Sequence, residues 1–418
     1  MSLNISVITH MDTYKSFTYG SVCSGIEAVS VAWRDLPFRP LWFSETDAFP
    51  AAVLAHHWPE VPNTGDMQQL AGKIIRNEIP APDILIGGTP CQSFSVAGLK
   101  QGMNDPRGQL SLSYIRLADA IDTKRTEENK RATIIIWENV PGILSDNGNA
   151  FGQFIAGLAG ADAPFFPGAP PANKKPSTFW RWSPKYHRYI PKWPRAGCVY
   201  GSRRNIAWRV QDAQYHGLPQ RRKRLFVIAG AGADFDPAQI LFEFTSLCGD
   251  ITPGGKTQPP VTPPVTANSG DHCPQIYNKQ RIGVYTPSNL CSTCTASDYK
   301  DAHDLVICPT VCVSANIIGR SPLHGGHHLG VTKDLCYTLD TSPGSHAVIS
   351  DYRLRRLMPV EYERLQGFPD HFTRIPWRGK YATDCPDAPR YKALGNSMAV
   401  PVITWIGKRL NHYLTTCS

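Results

Sequence analysis

"FTYGSVCSGIEAVSVAWRDLPFRPLWFSETD" occupies residues 17–47, and its reading decides the fold. Phe17 to Val22 is a short run rich in apolar and aromatic residues, which suits a strand. Ser24-Gly25 breaks it with turn chemistry. Glu27 to Leu36 then places apolar residues at helical spacing, and Leu41 to Phe43 returns to a buried-strand pattern that ends in Glu45. Strand, glycine turn, helix, strand is the opening unit of a parallel α/β sheet.

The alternation continues outward. Ala48 to His57 reads as a helix, Ile84 to Ile86 as a strand, Leu110 to Ile121 as a helix, Thr133 to Trp137 as a strand and Arg224 to Ala229 as another buried strand. The pattern predicts a doubly wound, Rossmann-like sheet. Two segments depart from it. Residues 163–196 are rich in Pro, Trp and Tyr and read as a long irregular insertion. Residues from about 232 to 350 hold seven of the cysteines, with β-like runs at Leu305 to Ile307 and Thr310 to Val313, and read as a second, smaller domain. Helical spacing returns at Pro359 to Leu365 and Val400 to Leu414. The organisation expected is therefore 1–232 for the main domain, 233–350 for the second, and 351–418 completing the first.

With 418 residues, 42% hydrophobic and 18% charged, the chain can bury a large core and does not have the composition of a disordered protein. No stretch of eighteen apolar residues occurs, and the first fifteen residues lack a basic and then apolar leader pattern. A cytoplasmic protein with reduced cysteines is the expectation. Formal net charge is +9, and its distribution is uneven. Between Phe165 and Leu225 fourteen Lys or Arg face one acid, Asp212, which points to a polyanionic partner or to a solvated basic surface.

Several positions carry chemistry. Ser24-Gly25, between a strand and a helix, suits the approach of a nucleotide-like cofactor to backbone amides, or simply a tight turn. Glu45, at a strand end twenty positions on, can accept from ribose hydroxyls, and Asp66 of "NTGDMQQL" from an amino group; either acid also suits a helix cap. "GGTPCQSFSVAG", residues 87–98, places Cys91 behind Pro90 at the carboxyl end of a strand, where a thiol is better placed to react than to pack. "IIIWENVPG" ends a strand with Glu138. "QRRKR" sets Arg222 and Arg224 two apart going into a strand, so that both can face one side and offer forked donors to a carbonyl or phosphate.

In this order, "CSGIEA", "FSETD", "TGDM", "GGTPCQSFSVAG", "DPRGQL", "WENV", "QRRKR", "RRLMPVEYERLQGFP" and "YKALGNSMAVPV" make the chain resemble the DNA (cytosine-5) methyltransferases over residues 17–230 and 353–410. The resemblance implies S-adenosylmethionine as cofactor and cytosine in duplex DNA as substrate. It implies that the Cys91 thiolate adds to carbon 6, that Glu138 donates to or holds ring nitrogen 3, and that Arg222 and Arg224 lie at the catalytic pocket. Carbon 5 then takes the methyl group, and loss of its proton and of Cys91 restores the enzyme. The base must leave the stack, and the loop from Cys91 to Gly108 is expected to close over it.

The same resemblance assigns the cofactor pocket to Cys23, Gly25, Glu45, Asp66, Met67, Pro90, Leu110 and Asn396. Glu27-Ala28 stand where many relatives carry two glycines, a departure that bears on this pocket. Residues 233–350 occupy the place of the target-recognition domain, with Arg281, Asn316 and Arg320 as candidate base readers. No metal is expected, although Cys291, Cys294, Cys308 and Cys312 have spacings compatible with zinc, and His324, His327 and His328 read as loop residues. A monomer acting on a specific site, with or without a cognate restriction endonuclease, is the expectation. An RNA (tRNA) cytosine-5 methyltransferase of the same fold and a catalytically inactive DNA-binding relative are the alternatives.

Overall fold

A computed structural model describes residues 16–89, 106–172, 175, 177–243 and 358–416, with side chains of the long fourth helix from Leu110 onward. It also describes the backbone of seven strands between 275 and 356. Pro90 and Cys91, the loop to 105, and Asn316, Arg320, Cys291, Cys294, Cys308 and the three histidines at 324–328 lie outside the described residues; Arg281 and Cys312 contribute backbone only. The chain divides into two compact units. The first comprises 1–210, 224–248 and 403–418, and the second 211–223 and 249–402.

The first unit begins with β1 (Phe17–Val22), α1 (Ala28–Ala32), β2 (Phe38–Ser44), α2 (Ala48–His57), α3 (Leu70–Ile75), β3 (Ile84–Gly87), α4 (Pro106–Glu127) and β4 (Ile134–Asn139). After α5 (Ala150–Ala159) come a hairpin of β5 (Trp180–Ser183) and β6 (Arg188–Pro191), then β7 (Ala196–Tyr200), β8 (Asn205–Asp212), β9 (Lys223–Gly230) and α6 (Ala238–Leu241). The sheet order is β2-β1-β3-β4-β9-β8-β7. β1, β2, β3 and β4 run parallel, whereas β9 is antiparallel to β4 and β7 to β8. Every residue of β3 is buried, as are five of six in β1, so these strands read as unbroken apolar runs because both sheet faces are covered.

The register brings function into view. Val22 pairs with Ser44 on one side and with Gly87 on the other, and Gly87 pairs with Trp137. The last paired residues of the four parallel strands therefore align in one row. The next residues are Glu45, Cys23, Gly88 and Glu138, in sheet order. The chain leaves β1 in one direction for β2 and returns on the other side for β3, so this row sits at a topological switch point, the ligand crevice of open α/β sheets.

Beneath the row lies a core that includes Val22, Met67, Leu85, Tyr114, Trp137, Phe154 and Val227. Trp137 stacks on Phe154 with ring centroids 4.0 Å apart. The last helix, α9 (Val400–Thr416), joins this unit through its later residues: Trp33 Nε1 donates to the Ile403 carbonyl at 3.1 Å, and Tyr413 Oη donates to the Asp234 carbonyl at 2.9 Å. No helix among the described residues is long and apolar enough to cross a membrane.

The insertion expected to be irregular contains the β5–β6 hairpin, with Trp182 opposite Tyr189. Its alternation of buried Trp180 with exposed Arg181 is a strand signal too short to stand out among prolines.

The second unit holds a three-stranded sheet, order β11-β10-β12, from β10 (Gln275–Arg281), β11 (Val284–Ser288) and β12 (Asp304–Ile307). A four-stranded sheet, order β14-β13-β15-β16, comes from β13 (Val311–Val313), β14 (Val331–Lys333), β15 (Ala347–Ser350) and β16 (Arg353–Arg356). Helices α7 (Pro359–Gln366) and α8 (Asp387–Asn396) belong to it as well. Buried Glu363 accepts from the Thr373 and His371 amides and from Arg390, tying α7 to α8 and to the segment between them.

Candidate active site

Between β1 and α1 the backbone is left-handed at Cys23, Gly25 and Glu27, with φ of 48, 57 and 59°. A Cβ on Gly25 would have no neighbour within 4 Å, so the turn borders open space, and its glycine is needed for conformation rather than for room. Gly25 N–H points at the β2 carboxylate: it donates to Glu45 Oε2 at 2.8 Å, while Glu45 Oε1 accepts from Thr46 N at 2.8 Å and Asp47 N at 2.7 Å. Three amides thus fix an acceptor whose remaining lone pairs suit a pair of vicinal hydroxyls.

Asn63 ties the neighbouring loop to this acid. Its Oδ1 accepts from Glu45 N and Gly65 N, and its Nδ2 donates to the Glu45 carbonyl at 3.0 Å. Asp66 caps the short 3-10 turn Met67–Gln69, accepting from Gln68 N at 2.9 Å, so the capping reading of this acid is realised. Burial, reinforced by the Glu45 and Asp66 carboxylates, pushes the Cys23 thiol up to about 12. Cys23 is therefore held as the neutral thiol. Met67 is buried beneath, and Leu110 of α4 packs against the same core. The structure thus brings together Cys23, Gly25, Glu45, Asp66, Met67 and Leu110 in one unit.

Glu27 is the residue whose importance the sequence understated. It is fully buried, with Oε2 accepting from Ser21 Oγ at 2.8 Å and Oε1 accepting from Ser30 N at 3.2 Å. It caps α1 directly below the open turn. Burial, only partly offset by these hydrogen bonds from Ser21 and Ser30, raises its carboxyl to about 7.

The other half of the row is built around β3 and β4. Glu138 Oε1 lies 3.0 Å from Arg224 Nε, and both side chains are mostly buried. Gly88 passes so close that a Cβ there would lie 2.8 Å from Glu138 Oε2 and 2.9 Å from its carbonyl oxygen. Only glycine fits. Asn139 Nδ2 donates to the Thr89 carbonyl at 3.0 Å, and Trp137 Nε1 donates to Thr89 Oγ1 at 3.1 Å. The peptide that leads into Pro90-Cys91 is thus held by the two neighbours of the Glu138 side chain in sequence. Nothing in the motif "WENV" as a string announces which residue anchors and which faces the crevice; the strand's alternation does.

Arg222 and Arg224 are both held by partners. Arg224 engages Glu138, whereas Arg222, in the second unit, is buried with Nη2 donating to the Gly395 carbonyl at 3.0 Å and the Ser397 carbonyl at 2.6 Å. These bonds clamp the end of α8 on both sides of Asn396, which is exposed. β9 begins at Lys223, so Arg224 lies within the strand and Arg222 immediately precedes it.

A parallel sheet with this switch point and an antiparallel strand inserted beside β4 is the Rossmann-like architecture of methyltransferases. Structures of the same fold include a Schizosaccharomyces pombe Dnmt2 methyltransferase (TM-score 0.52, 13% identity, 96% of this chain and 99% of that one). A putative DNA modification methyltransferase from an Escherichia coli prophage is comparable (TM-score 0.51, 18% identity, 96% and 100%). The family model for C-5 cytosine-specific DNA methylase matches residues 17–162 and 315–412, more than half of the sequence, and the chain belongs to that family.

Among curated relatives, an Escherichia phage P1 protein named DNA N-6-adenine-methyltransferase is 43% identical over 95% of this chain. The chain spans 61% of that protein's length. An orphan methyltransferase of Bacillus phage SPR, M.SPRI, is 24% identical over 94% of this chain and 97% of its own.

Proposed function

We propose that the protein transfers a methyl group from S-adenosylmethionine to carbon 5 of a cytosine in a specific duplex DNA sequence, through a transient bond to Cys91. The observation that carries this reading is the aligned row at the carboxyl ends of four parallel strands. Neighbouring strands are about 4.8 Å apart, so Glu45 and Glu138 stand three spacings, about 14 Å, from each other. That is room for a nucleoside cofactor on the β1–β2 side and a planar base on the β3–β4 side.

The residues on the first side fit the cofactor: a fixed carboxylate for ribose hydroxyls, an open glycine turn, and an apolar floor from Met67 and Leu110. Bound there, S-adenosylmethionine would supply an electrophilic methyl group on a sulfonium centre. Asn396, Asp66, Cys23 and Pro90 complete the assignment. Residues 233–350 are assigned to target recognition.

On the second side the chain's own groups do the activating. Cytosine carbon 5 is a weak nucleophile until the ring's conjugation is interrupted. Addition of the Cys91 thiolate to carbon 6 forms a C–S bond and pushes an electron pair toward ring nitrogen 3, where Glu138 holds or supplies the proton. Arg224 keeps the Glu138 carboxyl in place. Carbon 5, now enamine-like, would take the methyl group as the methyl–sulfur bond breaks and the sulfonium leaves as a neutral thioether, and the ring nitrogen 3 proton would return to Glu138. Release of its proton to a base and departure of Cys91 as thiolate restore aromaticity. The base must be extruded from the duplex to reach these groups, at a cost of a few kcal/mol.

The adenine-directed name of the phage P1 relative belongs to a protein of which about two-fifths lies outside the aligned region. Methylation of an exocyclic amino group uses that nitrogen's own lone pair and needs no thiolate addition to a ring carbon, so a Pro-Cys motif following Thr89 in sequence, together with Glu138, favours carbon 5 chemistry.

The test is product identification. Duplex DNA carrying many sequences is incubated with the protein and tritiated cofactor, then hydrolysed, with tRNA in a parallel arm. Radiolabel in 5-methylcytosine from DNA, absent with Cys91→Ala, and a covalent adduct on 5-fluorocytosine DNA support the reading. Label in N6-methyladenine, label only in tRNA, or undiminished transfer by Cys91→Ala refutes it.

A further inference from the structure

Between Asp162 and Asp212 the chain contains no Asp or Glu, and the β5–β6 hairpin stands in the middle of that stretch. Lys175, Arg181, Lys185, Arg188, Lys192 and Arg195 are all exposed, and among the described residues none of them pairs with a carboxylate. The turn Pro184-Lys185-Tyr186-His187-Arg188 is exposed at every position. Lys185 Nζ and the Arg188 guanidinium lie 5.2 and 5.8 Å from the Tyr186 ring centroid, so the ring holds two cations outward at the tip.

Such a concentration of uncompensated charge repels itself, yet the hairpin is firmly anchored. Trp193, just after β6, is buried; its N–H donates to the Leu144 carbonyl at 2.8 Å and its Nε1 to Asn149 Oδ1 at 2.9 Å. Arg188 Nη2 donates to the Asn147 carbonyl at 3.0 Å. Residues 141–149 are the segment that leaves β4 immediately after Glu138-Asn139. The basic hairpin is therefore fastened to the segment that follows the strand end where the reacting base would sit.

We propose that the 180–191 hairpin, with Lys175, Lys192 and Arg195, is a sequence-independent grip on the phosphate backbone of duplex DNA flanking the target cytosine. It rests on the methyltransferase reading above for the identity of the polyanion. Cations spread over a rigid ribbon with no acidic partner complement a linear array of phosphates, and release of condensed counterions would offset the cost of base extrusion. The grip supplies affinity without reading sequence.

The experiment measures binding of the full chain to two fluorescent 24-base-pair duplexes of unrelated sequence between 50 and 200 mM KCl. Lys185→Ala/Lys192→Ala is compared with the wild type; neither side chain hydrogen-bonds another described residue. Each lost phosphate contact reduces the slope of log K against log salt by about 0.9, so the double variant loses about 1.8. Its affinity then falls across this salt range by about twelvefold less than the wild type's falls. The effect is equal on both duplexes, kcat at saturating DNA is unchanged, and Lys185→Arg/Lys192→Arg restores the slope. An unchanged slope in the Ala variant with a native melting profile overturns the proposal, as does a loss confined to single-stranded RNA. Cytosine methylation by the wild type is scored separately, so a failed grip and a failed methyltransferase reading give different results.

Discussion

Glu27→Gln isolates the titration of one buried carboxyl. In the folded protein this group is raised to about 7 by burial, against 4.5 for an ordinary glutamate. The folded state therefore holds the proton more tightly than the unfolded chain does. Its stabilising contribution is complete below about pH 4.5 and is lost as pH rises through 7. A difference of about 2.5 pH units at about 1.36 kcal/mol per unit gives roughly 3 kcal/mol between pH 4.5 and pH 8. Gln keeps the acceptor for Ser30 N–H but carries no charge. The urea midpoint, followed by tryptophan fluorescence, should thus fall with pH more steeply in the wild type than in Glu27→Gln. The gap should close below pH 5, where the carboxyl is protonated. Tyr19, whose hydroxyl hydrogen-bonds Ser30 and which burial keeps protonated, interacts electrostatically with Glu27 and does not ionise in this range. Parallel pH curves for the two proteins would refute the assignment of the buried group.

Three further outcomes follow from the geometry. Gly88→Ala forces a methyl group against the Glu138 carboxylate and carbonyl; methylation should drop at least tenfold, with a loss of about 1–3 kcal/mol in denaturant stability. Glu45→Gln replaces an acceptor-only group held by three amides with one bearing an N–H₂; calorimetry should show cofactor affinity reduced about 10- to 100-fold, with DNA binding unaltered. Arg204 is fully buried and bonds Asp119, Asp122 and the Leu158 carbonyl; Arg204→Ala should cost about 3–5 kcal/mol in unfolding measurements, whereas a loss below about 1 kcal/mol would show that the network contributes little.

Much of the fold is legible in local pattern. β1 and α2 occur at the bounds their sequences indicate, and β3, β4 and β9 within two residues of theirs. The helix read over Glu27 to Leu36 is only Ala28–Ala32: Glu27 takes a left-handed conformation as its N-cap, and the helix stops at Trp33, whose backbone has left helical geometry. α5 escaped notice for the opposite reason: "AFGQFIAGLA" is buried at nine of ten positions and has no polar face to mark a period. β7 and β8 lie among basic and turn-forming residues, where short alternation carries little signal.

The sequence by itself determined the strand–helix alternation, the order of the motifs and the chemical types available at the strand ends, since these depend on neighbours a few positions apart. Tertiary structure alone decided that Ser44, Val22, Gly87 and Trp137 align in one row, that Arg224 meets Glu138, and that Asn139 restrains the Thr89 carbonyl. Register and side-chain partners are set by burial between segments many tens of residues apart. No periodicity within one segment encodes which distant surface it will cover.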